Sequence, residues 1–238
     1  SLLTGCYANR LSFYGALGPS IRWGLAPEET TLGEMLQGEG YATALFGKWH
    51  LGHLPEYLPT RHGFDEFYGL PYSNDMWPFH PESPGAWPPL PLFRGEELVD
   101  LNPDQTTLTR ALTLRSVDFI ERQAAAKKPF FLYLAQPMPH VPIFASLPFT
   151  GGTPTPYGDT VRELDWSVGE VLKALDRTDT AGNTLVLVTS DNGPWLSYGD
   201  HAGTTQGLRE GKGTTFEGGV RVPALARFPG RIPAGRVV

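Results

Sequence analysis

The protein has 238 residues, and its composition excludes several classes of function before any motif is considered. Lysine and arginine total 19 against 25 aspartate and glutamate residues, so the formal net charge at pH 7 is −6. So little positive charge argues against a non-specific nucleic-acid-binding protein, which needs a basic stripe for the phosphate backbone. A hydrophobic content of 40 % is typical of a globular protein with a sizeable core and argues against disorder.

Cysteine content and apolar runs exclude further classes. The chain has a single cysteine, Cys6, which excludes an intrachain disulfide and a zinc site built from several cysteines. No apolar run reaches the about 18 residues that a spanning helix needs, so no membrane span is predicted. Because the chain starts at Ser1 rather than Met, the sequence does not show whether a leader exists. The lack of a glycosylation sequon and of paired cysteines favours a bacterial source, with periplasmic or secreted localisation if so.

Hydrophobic periodicity predicts helices that alternate with short apolar strands. The first helix begins near Thr31, whose spacing to Glu34 is that of a capping box, and ends at Gly38. Two longer helices are predicted, one from a cap at Asp104 to about residue 126 and one over about 157–175. The predicted strands cover residues 41–46, 130–135, 184–189 and 221–228.

The predicted fold class is α/β. Apolar strands without alternation, separated by helices, indicate a largely parallel sheet covered by helices on both faces. The segment 71–103 is rich in proline and aromatic residues without a period, which predicts a long functional or covering loop. Three of the four predicted strands are followed by titratable side chains, and ligands bind at the carboxyl ends of strands in such folds. The sequence therefore predicts one shared site.

The strand over 184–189 is followed by Asp191 and Asn192. A carboxylate beside an amide offers oxygen ligands, which Ca²⁺ and Mg²⁺ prefer. The same residues before Gly193 are also ordinary turn chemistry, so a simple strand-ending turn remains the alternative.

Lysine and histidine side chains supply the positive charge of the predicted site. Lys48 and His50 lie two apart on an extended segment and so face the same side, where they can hold an oxyanion and move a proton. His140 follows the strand over 130–135 between two prolines, which suits a positioned acid or base. Lys212 lies in a glycine-rich segment that does not meet the spacing of a phosphate-binding P-loop. Each of these residues has a plain structural alternative, such as a solvated lysine or a packed histidine.

Together these groups describe a pocket for a tetrahedral oxyanion ester. Residue types and spacing fit sulfate and phosphate equally.

Four segments of the chain resemble the sulfatase family. Residues 1–5 resemble the end of the first sulfatase signature, C-x-P-S-R-[AS]-x-L-L-T-G, and residues 47–52 match the second, G-K-W-H-L-G. Residues 190–193 and 211–219 match two further segments in the right order. The similarity extends over nearly the whole chain and is greatest to the arylsulfatase A and N-acetylgalactosamine-6-sulfatase branch. It implies an alkaline phosphatase-like sulfatase fold and hydrolysis of a sulfate ester of a sugar, a glycolipid or an aryl alcohol.

The resemblance also implies roles for individual residues. It assigns Asp191 and Asn192 to a divalent metal, usually Ca²⁺ with Mg²⁺ possible. The implied catalytic and sulfate-contacting residues, with a weaker transfer for the serine, are Lys48, His50, His140, Lys212 and Ser73.

Residues 1–238 correspond to an internal part of the N-terminal catalytic domain of that family. The nucleophile, a formylglycine made from Cys or Ser, is expected six positions before Ser1, and the small C-terminal antiparallel domain is expected after Val238. The expectation is thus a fragment incomplete at both ends and inactive by itself. Cys6 has the cysteine-to-arginine spacing of the signature but lacks its proline and follows Leu-Leu-Thr-Gly, so an incidental thiol is the preferred interpretation.

Two other functions stay open at this stage. One is a phosphate or phosphonate ester hydrolase of the alkaline phosphatase superfamily, although only six histidines are available as transition-metal ligands. The other is a non-catalytic anion-binding relative. The predicted partner is a sulfate-ester substrate, and the oligomeric state is not predicted. Loop aromatics that either stack on a substrate ring or only pack are Trp77, Phe79, His80, Trp87, Trp195 and Tyr198.

Overall fold

The computed structural model describes residues 1–237, and a five-stranded mixed sheet lies at its centre. Its strands are β1 (Ala42–Lys48), β2 (Glu66–Leu70), β3 (Pro91–Arg94), β4 (Glu97–Leu101) and β5 (Phe130–Ala135). They lie in the order β4, β3, β2, β1, β5. β1 is parallel to both of its neighbours, whereas β3 is antiparallel to β2 and to β4.

Two further strands, β6 (Val186–Thr189) and β7 (Ala224–Arg227), form a separate antiparallel pair. The prediction of an α/β fold is confirmed, and the sheet is mixed, with parallel pairing confined to the three strands β2, β1 and β5.

Helices cover the sheet on both faces, as predicted. The helices are α1 (Leu32–Gly38), α2 (Leu108–Ala125), α3 (Pro156–Arg177) and the short α4 (Glu217–Val220). On one face Leu112 and Phe119 of α2 pack against Ala44 and Phe46 of β1, and α3 packs on the outer side of α2. On the other face Leu45 packs in a cluster that Leu32 of α1 also contacts. β1 is therefore buried from both sides.

Of the two helix caps that the sequence predicts, the one at Thr31 is confirmed and the one at Asp104 is not. Thr31 and Glu34 form the predicted capping box, with each side chain accepting from the other residue's backbone N–H. The third helix begins with Pro156 at its first position after the cap Thr155. Asp104, predicted as the cap of the second helix, instead accepts from the backbone of Thr106 in a short 3₁₀ turn that precedes α2.

Two features of the sheet were not predicted. β2 has only a short apolar run that is interrupted by Gly69, and it pairs in parallel with the buried strand β1. The segment 71–103, predicted as a loop throughout, contains the hairpin of β3 and β4, which turns at Gly95 with φ of 59°. All five residues of the edge strand β4 are exposed, and its apolar residues Leu98, Val99 and Leu101 do not alternate regularly with polar ones, so no half-buried strand is predicted from the sequence.

No helix within residues 1–237 is long and apolar enough to cross a membrane.

Candidate active site

The first part of the site lies where β1 ends. Gly47 has φ of 125°, and a Cβ there would meet the carbonyl oxygen of Ala135 on β5, so only glycine allows this close approach. Beyond it Trp49 points into the core, where its indole N–H donates to the Tyr57 carbonyl oxygen at 2.7 Å. Lys48 and His50 lie near each other, as the sequence predicts, because the charge of Lys48 acts on the imidazole of His50.

The backbone around His50 is held in a turn. The N–H groups of Trp49 and His50 donate to the carbonyl oxygens of Leu70 and Pro71, which extends the pairing of β1 and β2 past the strand end. His50 has φ of 63°, a left-handed conformation that is unfavourable for a residue with a side chain. Its Nε2 atom is buried and has no hydrogen-bond partner within the described residues. The imidazole is therefore placed where a ligand atom can supply the missing bond.

A second group of polar residues follows β2. Ser73 is buried with its Oγ atom unpartnered among residues 1–237, and one carboxylate oxygen of Asp75 is in the same condition. Between them, the fully buried Asn74 donates from its side-chain amide to Gln105 at 3.1 Å and to the carbonyl oxygens of His140 and Pro142 at 3.5 and 3.4 Å. This amide ties the segment after β2 to the segment after β5.

His140 lies in that second segment, half-buried. Its Nδ1 atom is 2.7 Å from the carbonyl oxygen of Val141. Because a carbonyl oxygen only accepts, Nδ1 carries the proton and donates, which leaves Nε2 for a ligand.

The third part of the site combines the end of β6 with the glycine-rich segment. The N–H of Gly193 donates to Gly219 at 2.9 Å, and the N–H of Lys212 donates to Pro194 at 2.9 Å. A Cβ on Gly193 would meet the carbonyl oxygen of Gly218, so glycine is needed for the two segments to touch. These contacts place Asp191 and Lys212 beside each other, although they are far apart in sequence.

Electrostatics show that the predicted charged residues gather in one place. Burial lowers the pKa of Lys48, and the carboxylates of Asp191 and Asp75 oppose this shift. Burial and the charge of Lys48 lower the pKa of Lys212, again against Asp191 and Asp75. The charges of these residues therefore act on one another, although the residues lie at the ends of different strands.

The same charges act on the two histidines. Burial first, and then the charge of Lys48, lower the pKa of His50 to about 4. Burial, then Lys212 and Lys48, also lower the pKa of His140, while Asp75 acts in the opposite direction. Both imidazoles are thus held toward the neutral form.

Sequence reasoning missed two members of this cluster, Asp75 and Tyr133. Asp75 carries no motif and is recognised only by its charge acting on the lysines and histidines. Tyr133 lies inside the apolar run of β5, and burial followed by the charge of Asp191 raises the pKa of its hydroxyl. Ser73 joins the cluster only through its neighbours Asn74 and Asp75.

The donor atoms at the end of β6 fit part of the shell of a hard cation. Asp191 offers an exposed carboxylate and Asn192 an amide oxygen, which are ligand types for Ca²⁺ or Mg²⁺. Within residues 1–237 no group of three or more His, Cys, Asp or Glu side chains is arranged around a metal position. These two residues therefore supply a fraction of the ligands that such an ion takes.

Two other surface features lie apart from the cluster. Cys6 shares a shallow cleft with Ser1, Gly5 and Tyr7 and with none of the predicted site residues. A cavity of about 280 Å³ at the amino end of β2 is lined by charged side chains, including Arg122 in an ion pair with Glu66 at 2.9 Å. The site residues gather at the opposite, carboxyl end of the strands.

Comparison with known proteins decides the family. The family model described as "Sulfatase" matches residues 1–238. The chain belongs to the sulfatase family. Among curated sulfatases, it is 42 % identical to the dog N-acetylgalactosamine-6-sulfatase over 100 % of this chain and 48 % of that protein. It is 41 % identical to bovine arylsulfatase A over 99 % of this chain and 50 % of that protein.

Two solved structures resemble the fold closely. The PsFucS1 sulfatase from Pseudoalteromonas sp. superposes with a TM-score of 0.86 and 29 % identity over 99 % of this chain and 52 % of that one. Ps i-CgsB, solved in complex with k-i-k-neocarrahexaose, superposes with a TM-score of 0.83 and 30 % identity over 98 % of this chain and 55 % of that one. The chain therefore spans about half the length of the sulfatases it matches.

Proposed function

We propose that the protein carrying this chain hydrolyses a sulfate ester, with a sulfated sugar as the substrate class. The observation that carries this proposal is the gathering of Lys48, Lys212, His50 and His140 around one position at the carboxyl ends of the strands. Family membership supports the reaction type, and the sugar is supported by relatives whose names specify N-acetylgalactosamine 6-sulfate chemistry. Residues 1–238 form part of the catalytic domain in this proposal.

The two lysines bind and polarise the sulfate group. Their ammonium groups lie in a site where burial lowers the pKa of each, so an anion between them gains more than it would in water. Negative charge that develops on the sulfate oxygens during S–O cleavage is stabilised by the same two groups. His50, whose buried Nε2 has no partner among residues 1–237, accepts or donates one hydrogen bond at this position.

His140 delivers a proton to the leaving oxygen. Its Nδ1–H is fixed to Val141, so a proton gained on Nε2 points toward the ligand. Burial, followed by the charges of Lys212 and Lys48, lowers the pKa of His140. Binding of a sulfate ester offsets those two charges and therefore raises the pKa of His140, so the substrate itself helps to make the acid that its departure requires.

Asp191 and Asn192 are the residues of this chain that would hold the divalent cation. When bound, Ca²⁺ or Mg²⁺ supplies Lewis-acid stabilisation of charge on the sulfate group. The formylglycine nucleophile is expected in the segment preceding Ser1. Leu3 supports this placement, because it packs in the same core cluster as Trp49, next to Lys48 and His50.

The proposal is tested with the protein expressed from its complete gene. Release of sulfate from 4-nitrophenyl sulfate and from a hexose 6-sulfate is compared with release of phosphate from 4-nitrophenyl phosphate. We expect turnover of the sulfate esters well above that of the phosphate ester, loss of it with EDTA, and recovery with Ca²⁺. Faster phosphate release would instead show a phosphatase, and sulfate binding without turnover would show an anion-binding relative.

A further inference from the structure

Trp195 lies directly beside two of the charged residues of the site. The Nζ atom of Lys212 is 5.0 Å from the centre of the indole ring, a cation–π arrangement. The imidazole of His140 lies 5.8 Å from the same ring, edge to face. The indole therefore borders the pocket on the side where the leaving oxygen receives its proton.

The backbone holds this indole in a fixed position. Pro194, which precedes it, accepts from the N–H of Lys212 at 2.9 Å, and Gly193 donates to Gly219 at 2.9 Å. Gly211 is packed so closely that a Cβ there would meet the Pro194 carbonyl oxygen and the Leu196 side chain. Trp195 and Lys212 are consequently placed as one unit rather than by a free loop.

Much of the indole is nevertheless open to solvent. Trp195 is 36 % exposed although Lys212, His140 and Tyr198 all contact it, with the Tyr198 ring at 4.8 Å. An open aromatic surface next to an anion pocket suits a ligand that joins an anion to a ring, because sugar rings present apolar C–H faces to aromatic groups. Trp77, in contrast, packs against Phe79 and Phe144 at 5.2 and 5.9 Å.

We infer that Trp195 is a specificity-determining residue, whose indole packs against the sugar ring that carries the sulfate ester. This inference rests on the proposed sulfate-ester hydrolysis and deepens it. The lysines bind the part that all substrates share, and Trp195 recognises the part that differs. Compact sulfate esters without a ring gain nothing from this surface.

The test uses Trp195→Ala and Trp195→Phe in the protein expressed from its complete gene. KM for a hexose 6-sulfate measures binding of the ring, and the inhibition constant of ethyl sulfate measures binding of the sulfate group alone. We expect Trp195→Ala to raise KM for the hexose sulfate by about tenfold, a loss of about 1.4 kcal/mol. Trp195→Phe is expected to raise this KM less. The inhibition constant of ethyl sulfate is expected to change by less than about twofold in both variants.

Trp166→Ala is the matched control. Trp166 lies on α3, and its indole also carries a cation, Arg110 at 5.6 Å, but it packs against Phe149 rather than against the site residues. This variant is expected to keep wild-type values for both ligands once its folding has been confirmed by circular dichroism.

Two outcomes overturn the inference. An equal rise in KM for the hexose sulfate and in the inhibition constant of ethyl sulfate would mean that Trp195 only positions Lys212. No change in either constant would mean that the indole does not contact the sugar ring. If the wild-type protein releases no sulfate, the proposed function fails separately. Binding of the two esters is then compared by calorimetry, where selective weakening of the hexose sulfate in Trp195→Ala still supports the inference and equal or absent weakening overturns it.

Discussion

The two halves of the candidate site are held in place by very different interactions. Lys48 ends β1 and His50 follows it, and this strand, whose residue Leu45 is fully buried, is covered by packed side chains on both faces. Asp191 and Asn192 follow β6, where Leu187 is 66 % exposed, and its partner β7 exposes Leu225 by 65 %. One half is therefore positioned by a core, and the other by one two-stranded pair and the backbone contacts of the glycine-rich segment.

This difference teaches which interactions fix the geometry of each half. At β1 the close approach of Gly47 to β5 and the continued pairing with β2 determine where Lys48 points. At β6 the hydrogen bonds from Gly193 to Gly219 and from Lys212 to Pro194 fix the geometry instead. Substitutions can separate the two kinds of support.

The largest effect is expected from Gly47→Ala. The added Cβ meets the Ala135 carbonyl oxygen at a φ of 125°, so strain and overpacking combine to roughly 2–6 kcal/mol of lost stability. Urea denaturation measures this loss. Gly169→Ala is the control, since nothing lies within 4 Å of its Cβ position on α3, and a gain of about 0.5–1 kcal/mol is expected. Equal effects of the two variants would contradict the close-approach argument.

Truncation of one leucine in each half makes the contrast quantitative. Leu45→Ala leaves a cavity in a fully buried cluster and is expected to cost about 2–5 kcal/mol. Leu187→Ala removes an exposed side chain and is expected to change the free energy of unfolding by less than about 0.5 kcal/mol. Denaturant titration of both variants gives the difference. A comparable loss in Leu187→Ala would show that β6 is packed more tightly than its exposure indicates.

Removing one lysine from each half tests whether both halves serve one reaction. Lys48→Ala and Lys212→Ala each delete an ammonium group that is proposed to stabilise sulfate charge, and a loss of about 10²–10³-fold in kcat is expected from each. Thermal unfolding is expected to stay close to wild type, because neither side chain forms an ion pair within the described residues. A wild-type rate in either variant would remove that lysine from the mechanism.

The smallest effect is a pH dependence from the β1 half. The pKa of His50 is lowered to about 4 from an ordinary 6.5, so between these values the unfolded chain binds a proton that the folded chain does not. The free energy of unfolding therefore decreases as the pH falls from 6.5 to about 4.

His50→Asn is expected to reduce the slope of melting temperature against pH in this range. Part of the slope remains, because burial also lowers the pKa of His62 and His140. The exposed His201 provides the control substitution His201→Asn, for which the wild-type slope is expected. An unchanged slope in His50→Asn would contradict the assignment to this imidazole.

Within residues 1–237 the sequence predicted the strands β1, β5, β6 and β7, which carry both halves of the site, but not β2, β3 and β4. Sequence patterns were sufficient to predict the α/β class, the helix cap at Thr31 and the strand over 130–135, because burial imposes a hydrophobic pattern on these elements. β2 and β4 were missed, since tertiary pairing rather than local pattern makes them strands. The pairing of β6 with β7 apart from the main sheet had no local signal either.

Within the site, the residues that belong to a sequence motif were predicted, and the residues that are marked only by their charge were not. Lys48, His140 and Lys212 follow strands or glycines that mark them in the sequence. Asp75 lies in a segment without period, and its proximity to the lysines depends on Asn74 joining two distant segments. The individual roles of the site residues remain predictions that the substitutions above test.

The hydrogen bond from the Lys212 N–H to the Pro194 carbonyl oxygen has a practical consequence. It closes the intervening stretch of chain at its base, while most of residues 196–210 lie on the surface. We therefore expect that shortening, lengthening or grafting this stretch leaves the backbone of Lys212 in place, because the hydrogen bond that closes it lies outside the altered residues.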